Sequence, residues 1–139
     1  MASEQLQIDI IAPTGALFQG DGDMVIIPGD DGDLGILAGH IATIAALRAG
    51  VLWIYHGGKL TKKFFISGGF ADIGDKKVAV LANSADNVDD LQSKDIEKHI
   101  SQLSEELKHN KDESQQTIIE QKLQVARAAL ASLSEKMYS

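Results

Sequence analysis

Residues 28–40 read PGDDGDLGILAGH, and this stretch decides how the rest of the chain is interpreted. Its four glycines indicate backbone positions with positive φ or close approach of another chain segment. Strand-like runs flank it at residues 24–27 and 41–48, so we predict a structured loop with a short strand at 34–37 inside a β-rich region. Three aspartates place negative charge at the tip of this loop: Asp30, Asp31 and Asp33.

Short strand patterns extend outward on both sides of this loop. Apolar and polar residues alternate over residues 6–10, and the sequence His-Gly-Gly-Lys at 56–59 is typical of a tight β-hairpin turn. About nine short strands at this spacing, with no helical period before residue 88, predict a β-sandwich or flattened barrel. The polar segment 83–90 is interpreted as a hinge.

The period changes after this hinge. Apolar residues then recur at steps of three and four, first in Ile96, Ile100, Leu103 and Leu107, and then in Ile119, Leu123, Ala126, Leu130, Leu133 and Met137. Residues 109–112 break the pattern, and Asp89 or Asp90 is expected to cap the first helix. We therefore predict a β-sandwich domain at 1–87 and an antiparallel two-helix hairpin at 88–139. The hairpin should pack weakly and exchange easily.

Composition narrows the class of function. The net charge is −7, with −6 in residues 1–90 and −1 in residues 91–139, which argues against nucleic-acid binding and an anionic membrane surface. The chain has no cysteine, so it has neither disulfides nor a thiolate site. Its most apolar run is about 12 residues, whereas a membrane-spanning helix needs roughly 20. We expect a protein without a transmembrane helix.

Motifs for catalysis or cofactor binding fail on inspection. Placing Gly32 at the sixth position of a calcium loop puts Ile27 at the first, where an oxygen ligand is needed. Leu60 follows Lys59 where a P-loop needs Ser or Thr, and Phe65 stands where a nucleophile elbow needs glycine. The four histidines lack metal-type spacing, and His40 is interpreted first as a structural loop residue. We predict no catalytic residue, no metal and no cofactor.

Three ordered motifs nevertheless carry a family resemblance. They are residues 32–37 followed by Gly39-His40, then Ser-Gly-Gly-Phe at 67–70, and then residues 80–82 with Ala85. Together with the helical tail, they resemble the epsilon subunit of F-type ATP synthases over essentially the whole chain. Ala38 stands where that family has proline.

The resemblance implies a non-catalytic rotor subunit. In that family the sandwich grips the gamma subunit, stands on the ring of c subunits and couples proton flow to ATP synthesis. Carried over, Asp33 takes the acidic position that faces the c-ring, with Asp30 and Asp31 beside it. Gly39 and His40 are then expected at the same end, near gamma.

The resemblance also implies a regulatory hairpin. In the family the two helices can extend along gamma toward the catalytic beta and alpha subunits and block ATP hydrolysis. Lys122, Arg127 and Lys136 on the second helix are the residues expected to meet acidic groups of beta. Asp89 remains from a nucleotide-binding pattern of some bacterial members, but Gln92 replaces its arginine. ATP binding should therefore be weak or absent.

The start of the chain, residues 1–7, has neither the apolar core of a signal peptide nor the arginines of a transit peptide. This favours a bacterial protein at the cytoplasmic face of the inner membrane, held there only through the complex. An alternative from another class is a stand-alone sandwich that binds a small ligand, with a hairpin that dimerises. Its signature would be exposed aromatic side chains on one sheet face.

Overall fold

The computed structural model describes residues 5–138, so the first four residues compared above with targeting peptides, and Ser139, lie outside the described range. Ten strands come first and two helices follow, which confirms a β-sandwich followed by a two-helix hairpin. The strands are β1 (Leu6–Ala12), β2 (Gly15–Gly22), β3 (Met24–Gly29), β4 (Gly32–Leu37), β5 (Thr43–Leu47), β6 (Gly50–His56), β7 (Lys59–Ile66), β8 (Gly69–Ile73), β9 (Lys77–Ala82) and β10 (Ala85–Asn87). A single 3-10 turn, Val88–Asp90, leads into α1 (Ser93–His109) and α2 (Glu113–Ser132).

The strands form one continuous sheet that folds over on itself. Its order is β10-β7-β6-β3-β5-β8-β9-β1-β2, and β4 pairs with β3 beside this path. The β1–β9 pair is parallel and the other pairs are antiparallel. Alternating side chains point inward and bury one apolar core. Its fully buried members include Leu6, Ile8, Ile10, Val25, Ile27, Ile36, Leu52, Ile54, Ile66, Ile73, Val78 and Val80.

The turn between β6 and β7 forms as its sequence predicts. Gly57 and Gly58 have φ values of 63° and 75°, the left-handed conformation that glycine adopts at little cost. The Asp23 carboxylate accepts a hydrogen bond from the Gly58 amide at 3.1 Å. Hydrogen bonding from the Gly58 backbone is the main reason that the pKa of Asp23 is lowered from its usual value. This carboxylate therefore ties the turn to the start of β3.

Strand β6 is buried on both of its faces. Its central residues Val51, Leu52, Trp53 and Ile54 are all buried, whereas a strand at the surface alternates between buried and exposed. Leu52 and Ile54 point into the sandwich core, and Trp53 pairs with Ile26 of β3 on the outer side. The helical hairpin and the residues that follow it cover this outer side.

The two helices pack on each other through the predicted apolar stripe. Leu103 of α1 is buried against Ile119, Leu123 and Ala126 of α2. Asp112 caps α2, because its carboxylate accepts a hydrogen bond from the Ser114 amide at 3.0 Å. The small side chain of Ala126 allows the helix backbones to approach at this point.

Three details of the sequence interpretation are wrong. The sequence interpretation has no strand in segment 83–90, yet the segment contains β10, which pairs with β7 between Ala85 and Ile66, while its role as a hinge stays a prediction. Neither Asp89 nor Asp90 caps α1, since both lie in the 3-10 turn and the N-cap position of α1 is Gln92. The apolar period predicts a second helix that reaches Met137, but α2 ends at Ser132. Met137 and Lys136 therefore lie beyond the second helix and not on it.

Candidate functional site

The acidic turn, residues 30–33, forms the tip of the β3–β4 hairpin. Gly29 and Gly32 face each other at the ends of the two strands, so Asp30 and Asp31 form the turn itself. The Asp30 amide donates a hydrogen bond to the Ala46 carbonyl at 2.9 Å, which anchors the turn on β5. Both carboxylates are exposed, and within residues 5–138 neither has an ion-pair partner. The turn therefore presents two charges that no ion pair neutralises within the described range.

Asp33 differs from its two neighbours because it is paired. The Arg48 guanidinium lies 2.6 Å from Oδ1 of Asp33, and its other terminal nitrogen donates to the Gly29 carbonyl at 2.6 Å. Both side chains are partly exposed, so the pair contributes little to stability by itself. Its geometric effect is larger, since it fixes the Asp33 carboxylate beside the β5–β6 connection.

Gly39 and His40 lie at the other end of β4 from the acidic turn. The Gly39 amide donates to the Asp75 carbonyl in the β8–β9 turn, and Gly39 has a φ of 91°. Nδ1 of His40 lies 2.7 Å from the Ile41 carbonyl oxygen. The expectation that the whole glycine-rich stretch gathers at one end is wrong, because β4 is an extended strand that separates its two ends.

The residues that follow α2, numbers 133–138, turn back over the sandwich, and we call this segment the C-terminal clasp. The Tyr138 hydroxyl donates to Oδ2 of Asp33 at 3.0 Å, and the Tyr55 hydroxyl donates to the Tyr138 carbonyl oxygen. The hydrogen bond to Asp33 is the main reason that the pKa of Tyr138 is raised above its usual value. The clasp thus reaches both the acidic turn and strand β6.

Trp53 provides the apolar surface on which the clasp packs. Its ring meets the Tyr138 ring edge to face, with centroids 5.4 Å apart, and the Lys63 ammonium lies 4.8 Å from its centroid. The same ammonium donates to the Glu135 carbonyl at 2.6 Å and to the Ser132 carbonyl at 3.4 Å. Lys63 therefore joins Trp53 to the end of α2 and to the clasp, and Trp53 is only 2% exposed.

The hairpin itself meets the sandwich through small side chains. Ala129 of α2 is buried against Phe65 of β7 and Val88 of the 3-10 turn, with Val125 and Ala128 at the edge. The predicted regulatory residues Lys122 and Arg127 are exposed on α2, and Lys136 is exposed in the clasp. The structure thus holds the hairpin folded against the sandwich, with its basic side chains at the surface.

A groove of about 540 Å³ lies between the two helices and the rim of the sandwich. Its lining is mostly apolar, and its polar side chains include Asp86, Asp95, His99 and Lys122. Asp89 lies outside this lining, and its amide donates to the Asn87 side chain at 3.0 Å. Two carboxylates at a groove with one lysine do not favour a polyphosphate.

Within the described residues, the outer face of the β5–β8–β9 sheet is uncovered and largely apolar, with the exposed Asp72 among its apolar side chains. Ile44, Phe70 and Leu81 are 72%, 56% and 50% exposed. The strand pairing places Phe70 directly beside Leu81 and Ala46. Ile44 lies on the same face because its partner Asp72 is two residues from Phe70 on β8. Exposed large apolar side chains gathered on one face mark interaction surfaces. The acidic turn adjoins this face at the Ala46 end of β5.

Sequence reasoning missed Arg48, Trp53, Lys63 and Tyr138 as site residues. The unbroken apolar run at 51–54 was a signal that β6 is covered on both faces. For Tyr138 the sequence carries no signal, since its contacts are with residues distant in the chain. Among residues 5–138, no group of three or more acidic or histidine side chains is placed to hold a metal ion. No helix in the same range has the length and hydropathy needed to cross a membrane.

The chain is similar to a known family over most of its length. The sequence profile described as "ATP synthase, Delta/Epsilon chain, beta-sandwich domain" matches residues 5–88. The ATP synthase epsilon chain of Paramagnetospirillum magneticum is 32% identical over 132 residues, which cover 95% of this chain and 99% of that protein. The epsilon chain of Rhodospirillum rubrum is 29% identical over 130 residues, covering 94% and 97%.

Solved structures share the same fold. A chain in the mitochondrial ATP synthase of Euglena gracilis superposes with a TM-score of 0.79 at 24% identity, covering 96% of this chain and 84% of that one. A chain in the central stalk and c-ring structure of the Tetrahymena thermophila mitochondrial enzyme gives 0.66 at 13% identity, covering 96% and 99%. Both superpositions include the helical hairpin as well as the sandwich, given their coverage of this chain.

Proposed function

The chain belongs to the epsilon family of ATP synthase subunits, and from this we propose that it stands in the central stalk between the gamma subunit and the c-ring. As a member of this family it is a non-catalytic subunit. We propose further that it couples rotation of the c-ring to the catalytic head and restrains ATP hydrolysis through its C-terminal helices. Its place would then be the cytoplasmic face of a bacterial inner membrane, reached only through the complex.

The observation that carries this proposal is the uncovered apolar face next to the acidic turn. A stalk subunit needs one surface that stays attached to a rotating shaft and another that meets the ring. The exposed face around Ile44, Phe70 and Leu81 suits a permanent apolar contact, which we assign to gamma. Asp30 and Asp31 suit basic polar loops, which we assign to the c-ring, and Asp33 is their neighbour.

Gly39 and His40 enter this proposal separately from the aspartates. They lie next to the β8–β9 turn, through the Gly39 to Asp75 hydrogen bond. That turn joins the two strands that carry Phe70 and Leu81. We therefore keep Gly39 and His40 on the gamma side of the proposed interface and assign only the acidic turn to the c-ring.

The restraint of hydrolysis is proposed from the hairpin's weak attachment. The helices are held together by their own stripe, whereas their contact with the sandwich is built from alanines and a few larger side chains. A unit of this kind can leave the sandwich without losing its internal packing. Lys122, Arg127 and Lys136 would then be carried toward acidic surfaces of the beta and alpha subunits.

The test is reconstitution of the complex with the full chain and with a chain that ends at Asn87. We expect both forms to join the gamma subunit and the c-ring, and the shorter form to raise ATP hydrolysis because nothing can extend to the catalytic head. A chain in which Lys122, Arg127 and Lys136 are changed to Gln is the matched control for charge. Equal hydrolysis rates with stably bound full and truncated chains would refute the restraint, and failure of both to bind would refute the stalk position.

The alternative of a stand-alone ligand-binding sandwich lacks its signature. Of the seven aromatic residues, Phe70 alone is exposed, and Trp53, Phe64 and Phe65 are buried. The apolar stripe that would dimerise the hairpin is used between α1 and α2 of the same chain. No specific observation therefore favours this second function.

A further inference from the structure

The C-terminal clasp makes several contacts with the sandwich, more than would be needed only to order a short terminal segment. Its backbone accepts hydrogen bonds from Tyr55 and Lys63, its tyrosine ring packs on Trp53, and its tyrosine hydroxyl bonds to Asp33. These four partners belong to β4, β6 and β7 of the sandwich. The clasp follows directly on α2, so the hairpin cannot leave the sheet unless the clasp opens.

Arg48 and Asp33 prepare the place where the clasp ends. One carboxylate oxygen of Asp33 is held by Arg48 at 2.6 Å, and the other is left to accept the Tyr138 hydroxyl at 3.0 Å. The ion pair thus holds the acceptor oxygen in position for the tyrosine hydroxyl. A carboxylate accepts a stronger hydrogen bond than a neutral group does, and a pre-oriented one loses less entropy on binding.

We propose that the clasp holds the helical hairpin closed against the sandwich, and we call it a latch. Its anchor is the Tyr138 ring packed on Trp53. Its catch is the Asp33–Arg48 pair, whose carboxylate accepts the Tyr138 hydroxyl. The catch lies in the acidic turn. While Oδ2 of Asp33 accepts the Tyr138 hydroxyl, the same oxygen cannot accept a hydrogen bond from a basic side chain of a partner. Engagement of Asp33 by such a partner therefore favours opening of the clasp, and opening frees Asp33 for the partner. This last step rests on the proposed function, whereas the latch itself does not.

Trp53 makes the latch measurable in the isolated full chain, because it is the only tryptophan in the sequence. We expect acrylamide to quench its fluorescence weakly in the native protein. Tyr138→Ala should raise the quenching constant several-fold and shift the emission to longer wavelength. Tyr138→Phe keeps the ring and loses the hydroxyl, so its quenching constant should lie between those of the native protein and of Tyr138→Ala. Ile118→Ala, on an exposed part of α2, should leave the quenching unchanged.

Hydrogen exchange shows whether the clasp holds the hairpin or only covers the tryptophan. Tyr138→Ala should speed exchange across α2 while β8 and β9 keep their protection, which also shows that the sandwich remains folded. Exposure of Trp53 without faster exchange in α2 would overturn the latch, and so would unchanged quenching in Tyr138→Ala.

The catch is tested by combining Asp33→Asn with Tyr138→Phe. If both changes remove the same contact, the double variant should show the quenching constant of the more affected single variant. Fully additive effects would overturn the role of Asp33. None of these measurements uses another subunit, so a negative result here would leave the stalk position untouched, and a failed reconstitution would leave the latch standing.

Discussion

The side chains of Asp33 and Tyr138 lie 3.0 Å apart, although one belongs to the acidic turn and the other to the last described residue of the chain. This contact joins the part of the sandwich proposed to meet the c-ring with the part of the chain proposed to regulate hydrolysis. It is one hydrogen bond on a partly exposed surface, and it is worth about 1–3 kcal/mol at most. A contact of that size can shift the equilibrium of the hairpin toward its closed position without preventing it from opening.

The acidic turn should bind the rotor through charge. Changing Asp30, Asp31 and Asp33 together to Lys should abolish binding to purified c-ring at low salt, because it replaces attraction with repulsion. The control is Glu97, Glu106 and Glu120 to Lys, which changes the net charge equally on the hairpin. Co-sedimentation with the ring over a salt series measures the effect. Equal binding by the wild type and the acidic-turn variant at low salt would contradict the assignment.

ATP binding by the isolated chain should be weak. Asp86 and Asp95 line the groove, and Gln92 stands where the resembled bacterial members have arginine. Restoring positive charge with Gln92→Arg and Asp95→Asn should tighten binding of Mg-ATP, since both changes favour a phosphate group. Calorimetric titration of the wild type and the double variant compares them. Micromolar affinity in the wild type would mean that other groups compensate.

A chain ending at Asn87 should fold by itself as a β-sandwich. It keeps β10 and the whole inner core but uncovers Ile26, Trp53 and Phe65, so it should lose roughly 5 kcal/mol of unfolding free energy, at about 1.5–3 kcal/mol for burying each of these three side chains. Urea unfolding and the Trp53 emission measure this. A chain ending at Asp90, which keeps Val88 against Phe65, is the control and should be the more stable of the two. Failure of both to fold cooperatively would show that the hairpin is part of the folding unit.

The closed position should be lost at high pH. The pKa of Tyr138 is raised above 10.0 mainly by the Asp33 hydrogen bond, with Glu135 adding to the effect and Arg48 opposing it. The folded state therefore holds this proton more tightly than the unfolded state, so the contribution is complete below pH 10.0 and disappears as pH rises through the raised value. Quenching of Trp53 should increase over that range.

The Tyr138→Phe variant is the control for this titration. Burial also raises the pKa of Tyr55, whose hydroxyl donates to the clasp, so a smaller transition should remain in the variant. An identical transition in wild type and variant would assign the whole effect to other groups.

Gly69 should resist replacement. Its φ is 139°, and a Cβ at this position would collide with the Leu81 carbonyl oxygen on the neighbouring strand. Gly69→Ala should therefore cost about 3 kcal/mol or more of unfolding free energy. Gly74→Ala is the matched control in the β8–β9 turn, since a Cβ there would make only an ordinary contact with Lys77, and its cost should stay within about 1 kcal/mol. Similar unfolding midpoints for the two variants would contradict this explanation.

The sequence predicts the fold well where local patterns decide it. The Gly57-Gly58 turn and the Leu103–Leu123 stripe follow from glycine conformation and helical period, and both are present. The errors fall where tertiary pairing overrides composition. The polar Ala85–Asn87 segment is a strand because β7 offers it a free edge. At the end of α2 the Lys63 ammonium, which is distant in the sequence, donates to the Ser132 carbonyl and to the Glu135 carbonyl beyond the helix.

The candidate site was less predictable than the fold. Asp30, Asp31 and Asp33 are visible as a charged turn in the sequence, but the pairing of Asp33 with Arg48 depends on how β3 and β5 meet. The separation of Gly39 and His40 from the aspartates depends on β4 being extended. Tyr138 reaches Asp33 only because the whole hairpin folds back, and no local pattern encodes that.

The double burial of β6 has a consequence for the subunit before assembly. The unassembled chain already exposes one apolar surface around Phe70. Opening of the hairpin would expose a second apolar surface around Trp53 and Phe65. Two such surfaces on opposite sides would let copies stack into aggregates. The folded-back helices cover this second surface, so we expect the closed form to aggregate less than an open one before the chain meets its partners.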